Sequence, residues 1–107
     1  MGALPRERKP YQQLAYPKYN QTKKKLPEIL RKELNLQENL IAQNPLLGMP
    51  KKGELRGIYV HKFNLLGQEY LLAYRPDHKA KAIIFLAIGG HENFYRDLAH
   101  YLKKQEN

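Results

Sequence analysis

Four histidines, at positions 61, 78, 91 and 100, are the side chains of this 107-residue sequence best suited to moving protons near neutral pH. His91 stands apart from the others by its setting. Ala82 to Ile88 is an uninterrupted apolar run, Gly89 and Gly90 end it, and His91, Glu92, Asn93, Phe94, Tyr95 and Arg96 follow at once. A buried strand in that position would deliver an imidazole, a carboxylate, a phenol and a guanidinium to its exit.

Other chemistries find little support. There is no cysteine, so disulfide scaffolds, thiol catalysis and thiolate-bound zinc are excluded. No histidine pair has the i, i+4 spacing of a helical metal site and no acidic cluster accompanies them, so no metal and no cofactor is expected. Gly-x-Ser-x-Gly, Walker-type and dinucleotide-binding motifs are missing, which disfavours triad hydrolases and nucleotide-driven enzymes.

What remains is acid–base chemistry on an anionic polymer. Cutting RNA without a metal needs a base for the 2′-hydroxyl proton, an acid for the leaving 5′-oxygen, and cations for the charge that builds on phosphorus-bound oxygens. His91 and His61 are the candidates for proton transfer, with Glu92 or Tyr95 as substitutes. Lys51, Lys52, Arg56, Lys62, Arg75 and Arg96 are the candidates for binding phosphate. Strand parity points Tyr59, His61 and Phe63 one way and Ile58, Val60 and Lys62 the other, so His61 and Lys62 share a cleft only across a bulge. For His61, His78 and His100 a structural role is the competing reading.

Charge agrees with an anionic partner. Nineteen Lys and Arg against ten Asp and Glu give a formal +9, concentrated in residues 1–56, where twelve bases meet five acids. Solubility alone is the plainer explanation of such a charge. No apolar run approaches the roughly 18 residues of a membrane span and the N-terminus lacks a secretory apolar core, so a soluble, cytoplasmic protein is expected.

The elements that must position His91 follow from periodicity. Residues 1–107 read as one α+β domain, with 1–10 a flexible basic arm bracketed by Pro5 and Pro10. A short helical turn fits Tyr11 to Tyr16, whose tyrosines, with Tyr19, either stack on bases among nearby lysines or pack a helix onto a sheet. Leu26, Ile29, Leu30, Leu34, Leu40 and Ile41 mark an amphipathic helix with a fresh start at Pro27 and an end near Asn44. Strands are expected at Leu55–Phe63, Gln68–Arg75 and Ala80–Ile88, joined by short turns into an antiparallel meander. The expected fold is therefore N-terminal helices packed on a three- to four-stranded antiparallel sheet, with a short C-terminal helix. Both faces of the middle strand are apolar, so either Phe94 to Leu102 or another chain must cover the second face.

Taken together, a helix ending in Asn44-Pro45, a glycine-containing loop, then LRGIYVHKF, QEYLLAYR and AIIFLAIGGHENFY resemble the RelE/ParE superfamily of bacterial type II toxins, from about Leu40 to Leu98. GGHENF is similar to the Gly-x-His-x-x-Leu-Phe ending of the YafQ-like branch. The resemblance implies a ribosome-dependent mRNA endonuclease, an mRNA interferase that arrests growth and cuts in the ribosomal A site. It implies an acid–base role for His91, a packing role for Phe94 beside it, and a cognate antitoxin as partner. His61 looks like a second histidine of that branch. The arginine common in the family's YRxxY strand is Leu71 here, leaving Arg75 or Arg56 to compensate, and the family's first strand is not evident. The alternative implied by the same superfamily is a ParE-like inhibitor that binds DNA gyrase and catalyses nothing; a basic nucleic-acid-binding module is a third.

Overall fold

The computed structural model describes residues 9–106, so most of the expected basic arm lies outside the described residues. Five strands form one sheet in the order β1-β5-β4-β3-β2: β1 (Gln12–Ala15), β2 (Met49–Pro50), β3 (Tyr59–Leu65), β4 (Gln68–Asp77) and β5 (Ala82–Gly89). Helices α1 (Pro17–Lys24) and α2 (Glu28–Gln43) precede β2, and α3 (Phe94–Glu106) closes the chain. Among the described residues no helix is long and apolar enough to cross a membrane.

The α+β class, the three central strands and the C-terminal helix match expectation; the strand count and one pairing do not. Residues 12–15 are a strand rather than a helical turn, and β1 lies parallel to β5, with Gln12 opposite Ala82 and Ala15 opposite Phe85. A strand before the helices, not evident from the sequence, is thus present. Its QQLA sequence carries no apolar alternation because three of its four side chains are exposed, and its backbone bonds to a strand some seventy residues later hold it in place. The sheet is therefore mixed.

Pro17 opens α1, where its missing N–H costs nothing, and Lys23 and Lys24 sit in the last turn, where cations suit the helix dipole. Pro27 disfavours helix at Leu26 and starts α2, which ends at Asn44 before Pro45. There is no break at Asn35. The stripe of α2 that meets the sheet is Leu30, Leu34, Glu38 and Ile41, while Ile29 and Leu40 of the expected stripe face outward.

Each face of the sheet has its own core. Leu30, Leu34 and Ile41 of α2 and Tyr19 of α1 pack on Phe63, Leu72, Tyr74, Ile83 and Phe85. On the other face Phe94, Leu98 and Leu102 of α3 cover Ile58, Val60, Leu71, Ala73 and Leu86. The C-terminal segment covers the second apolar face. Ordinary alternation puts Phe85 in the first core and Leu86 in the second, and a register shift between Ala73 and Tyr74 then keeps Ala87 on the second face beside Leu86 and returns Ile88 to the first. Where β2 crosses to β3, Gly48 is needed for close approach, since a Cβ there would lie 3.0 Å from the Val60 carbonyl carbon and 3.1 Å from the Tyr74 ring. The Tyr74 hydroxyl closes this loop, donating to the Pro45 carbonyl and accepting from the Gly48 N–H, both at 2.8 Å.

Glu38 is the one charged side chain in the core stripe, 7% exposed. The Tyr19 hydroxyl donates to it at 2.7 Å and Lys23 Nζ at 2.9 Å, so the carboxylate ties α1 to α2. Burial, then the neighbouring carboxylate, pushes the Tyr19 phenol far up. Removing the acceptor leaves a buried hydroxyl without a partner, a loss of about 1–3 kcal/mol. Glu38→Ala should lower unfolding stability by that amount in urea titrations, and Tyr19→Phe in the same background should recover part of it; an unchanged midpoint in Glu38→Ala would show that the pair contributes nothing.

Candidate functional site

The apolar segment ends where β5 runs out of neighbours. Gly89 is opposite Leu71 on β4, and the Phe94 ring packs against the strand end there, where a Cβ on Gly89 would meet it at 3.4 Å in ordinary van der Waals contact. Asn93 takes a left-handed conformation, φ 61°, which asparagine tolerates better than most residues, and the Phe94 N–H bonds back to the His91 carbonyl at 3.3 Å. The turn from β5 into α3 is thus pinned by Phe94, and His91 is left outside it with 54% of its side chain exposed.

Among the described residues the imidazole has one partner. His91 Nε2 lies 2.8 Å from Glu69 Oε1. A carboxylate can only accept, so the nitrogen facing it carries the proton and Nδ1 of a neutral ring is left with a free lone pair. Glu69 is two residues from Leu71 on β4 and shares its sheet face, the one covered by α3. Lys62 stands opposite Leu71 on β3, hence on the same face and diagonal to Glu69, a spacing of roughly 7–8 Å. Lys51 adds a second cation, its Nζ 4.9 Å from the centre of the Tyr95 ring on the first turn of α3. An oriented imidazole, two lysines and a phenol thus share one side of the sheet.

Residues 14–99 match the family model described as the ParE-like toxin of type II bacterial toxin–antitoxin systems. The chain belongs to that family. Solved structures agree on the fold. A substituted form of the E. coli toxin RelE in the free state is similar with a TM-score of 0.69 and 15% identity, over 91% of this chain and 98% of that one. The toxin–antitoxin complex RelBE2 from Mycobacterium tuberculosis gives 0.65 and 23% over 77% and 92%. The archaeal RelE–RelB complex from Pyrococcus horikoshii gives 0.57 and 14% over 78% and 98%. At such identities the likeness establishes the fold. No curated protein matches the sequence significantly.

The remaining sequence candidates of this ParE-like toxin are dispersed. His61 faces α2, on the sheet surface opposite to Glu69; its Nε2 is 2.7 Å from Gln37 Oε1 and its ring stacks on Phe63 at 6.2 Å. The two histidines are not brought together. Arg75 lies six residues from Glu69, roughly 20 Å along β4, with Nη1 3.5 Å from the Tyr16 hydroxyl. Lys52 and Arg56 are exposed around a short 3-10 turn at Gly53–Leu55, and Arg96 is exposed beside Asp97. Glu92 turns toward a cavity between α1 and α3. Among the described residues no group of three or more metal-binding side chains gathers. Leu71 is completely buried in the core under α3.

Glu69 was not among the sequence candidates. Parity alone puts it on the Leu71 face, but its meeting with His91 depends on how the chain turns after Gly90. His61 also supplies a measurable contrast. Burial lowers its pKa below the ordinary 6.5. Between the lowered and the ordinary value the unfolded chain binds more protons than the folded one, so stability rises with pH through that window and is lost on acidification below it. His61→Gln should flatten the fall in urea midpoint between about pH 7 and about pH 5; an unaltered slope would mean the ring charges in place.

Proposed function

We propose that this toxin is an mRNA endonuclease acting in the ribosomal A site by metal-independent acid–base chemistry, kept inactive by a cognate antitoxin. One observation carries the reading: a half-exposed His91 imidazole, oriented through Nε2 by Glu69, on the sheet face that carries Lys62. Nδ1 takes the 2′-hydroxyl proton as that oxygen attacks the adjacent phosphorus. The bond to the 5′-oxygen breaks, and that oxygen takes a proton from Tyr95, giving a 2′,3′-cyclic phosphate and a 5′-hydroxyl. Lys62 and Lys51 offset the charge that develops on the non-bridging oxygens. Glu69 acts through His91, fixing its tautomer and stabilising the imidazolium that forms. An antitoxin partner is supported by the RelE relatives solved in toxin–antitoxin complexes.

A specific observation favours a second reading. Leu71 occupies the place of the arginine common in the family's YRxxY strand and is buried beneath α3, so β4 offers no guanidinium at that point. A ParE-like inhibitor that binds DNA gyrase needs no phosphate ligand there. The two readings separate in cells. Expression should arrest growth, and primer extension on cellular mRNA should show discrete cuts within codons; intact transcripts with a DNA-damage response would instead support gyrase inhibition.

His91→Ala should reduce cleavage of ribosome-bound mRNA by about 10²–10⁴-fold, the usual worth of a positioned base. Glu69→Gln should lose about tenfold or more, because an amide can donate to Nε2 and stabilise the wrong tautomer. It should also shift the acidic limb of the pH–rate profile, which a purely structural role would leave in place. Full activity in His91→Ala with a native fold would remove the imidazole from the mechanism.

A further inference from the structure

Lys51, one of the two cations assigned to the phosphate, is delivered by a segment with little of its own to hold it. Between α2 and β3 the chain runs through Pro45, Leu46, Leu47 and Gly48 into β2, and the large apolar side chains on this path, Leu46, Leu47 and Met49, are all exposed. None of them anchors it. β2 is two residues long, and Pro50 brings no N–H to its ladder with β3. With both side chains of β2 exposed, no dry face specifies its register.

Register decides where Lys51 points. Its N–H donates to the Ile58 carbonyl at 2.9 Å, and Ile58 lies in the core under α3, so the Lys51 side chain emerges on that face with Nζ 4.9 Å from the centre of the Tyr95 ring. A slip of β2 by one residue would turn Lys51 to the opposite face and put Pro50 or Lys52 in its place. The cation would then lie on the side of His61, away from Lys62 and Glu69.

What opposes the slip is Tyr74. Pro45 and Gly48 are the buried residues of the segment, and the Tyr74 hydroxyl donates to the Pro45 carbonyl and accepts from the Gly48 N–H, both at 2.8 Å. One oxygen thus fixes two points of the loop against β4, and a slip of about 3.3 Å, one residue of a strand, breaks both bonds. Sterics act in the same sense. A slipped chain would bring Leu47 or Met49 to the place of Gly48, where a Cβ lies 3.0 Å from the Val60 carbonyl carbon and 3.1 Å from the Tyr74 ring. The ring is itself immobilised, fully buried in the core under α2 and stacked on Tyr59 at 5.6 Å. Burial pushes its phenol up to about 12, so the proton donated to Pro45 stays in place near neutral pH.

We propose that Tyr74 is a positioning residue for the candidate site: its hydroxyl, lodged in the core under α2, sets the register of β2 and so places Lys51 on the α3 face beside Tyr95. Tyr74 touches no substrate and acts only through the loop. Its contribution to cleavage rests on the nuclease reading, whereas the placement of Lys51 rests on the two hydrogen bonds and the close approach at Gly48. The core on one side of the sheet thereby determines which cation is presented on the other.

Proton shifts of the Lys51 side chain in the full-length protein test the placement without ribosomes or cleavage. A lysine held over an aromatic ring has its ε-methylene protons moved upfield by that ring, and Tyr95→Leu gives their position without it. Tyr74→Phe keeps the ring in the core and removes both bonds, so the Lys51 ε-protons should move to the Tyr95→Leu position. Gly48→Val, which leaves the hydroxyl but crowds the loop away from Val60, should move them in the same direction. Unmoved ε-protons in whichever of these variants folds, even with a lowered melting temperature, would overturn the assignment. On ribosome-bound mRNA, Tyr74→Phe should cut about tenfold or more slowly than the unsubstituted protein, and that factor should vanish when Lys51→Ala is already present. An equal loss in both backgrounds would leave Tyr74 a structural role only. Shifts that move as expected in a protein that cuts no mRNA overturn the nuclease reading alone.

Discussion

β5 is apolar on both faces and bonded along both edges, and this double burial is the constraint from which the rest of the molecule follows. Ile83 and Phe85 go to the core under α1 and α2, Leu86 to the core under α3, β1 takes one edge and β4 the other. A strand enclosed in this way cannot continue into solvent as a strand, because each further residue would expose apolar surface or unpaired backbone. It therefore stops at Gly89, and the chain must reverse sharply enough for α3 to return over the sheet. The position of His91 is a consequence of that reversal. Phe94, under Gly89, is the anchor that sets its angle, so the chemical end of the strand and the second core depend on the same contact.

Much of this was legible because burial imposes period. The two-residue alternation of β3 and β4, the continuous apolar run of β5 and the three-to-four spacing of α2 and α3 all report which faces are dry. Where a residue's place is set by something other than dryness, the signal fails. β1 is polar and short, and its only justification is the free edge of β5, a partner far away in sequence. Glu38 occupies a core position that periodicity reserves for an apolar side chain, and nothing local reveals that Tyr19 and Lys23 meet it. Ile29 and Leu40 show the converse, apolar residues on α2 that the sheet never reaches.

The same distinction explains how the candidate site was read. His91 could be singled out because it follows a buried strand, and the fold does place it at the end of β5. Glu69 could not, since its strand position looks like any other solvated polar residue until the turn after Gly90 brings the imidazole back over β4. His61 was paired with His91 on chemical type, whereas strand parity separates them: its partner across the ladder is Leu72, in the core under α2, and that of Lys62 is Leu71, in the core under α3. Residue type proposes chemistry, but the face of the sheet decides which types can cooperate.

Leu71 shows how far this reasoning reaches. An arginine at that position would have to drive a guanidinium between the sheet and α3, where Leu71 now contributes apolar surface with no exposure. The charge and the packing are alternatives at this point, because burying an unpaired guanidinium beneath a helix costs several kcal/mol. With leucine, α3 can lie flat on β4 through Leu98 and Leu102, and any cation serving the His91 side must come from the neighbouring strand or the loop before it. Lys62, directly across the ladder from Leu71, and Lys51, against Tyr95, are the residues so placed. The absence of a guanidinium at this point of β4 and the close seating of the C-terminal helix are thus two consequences of one leucine.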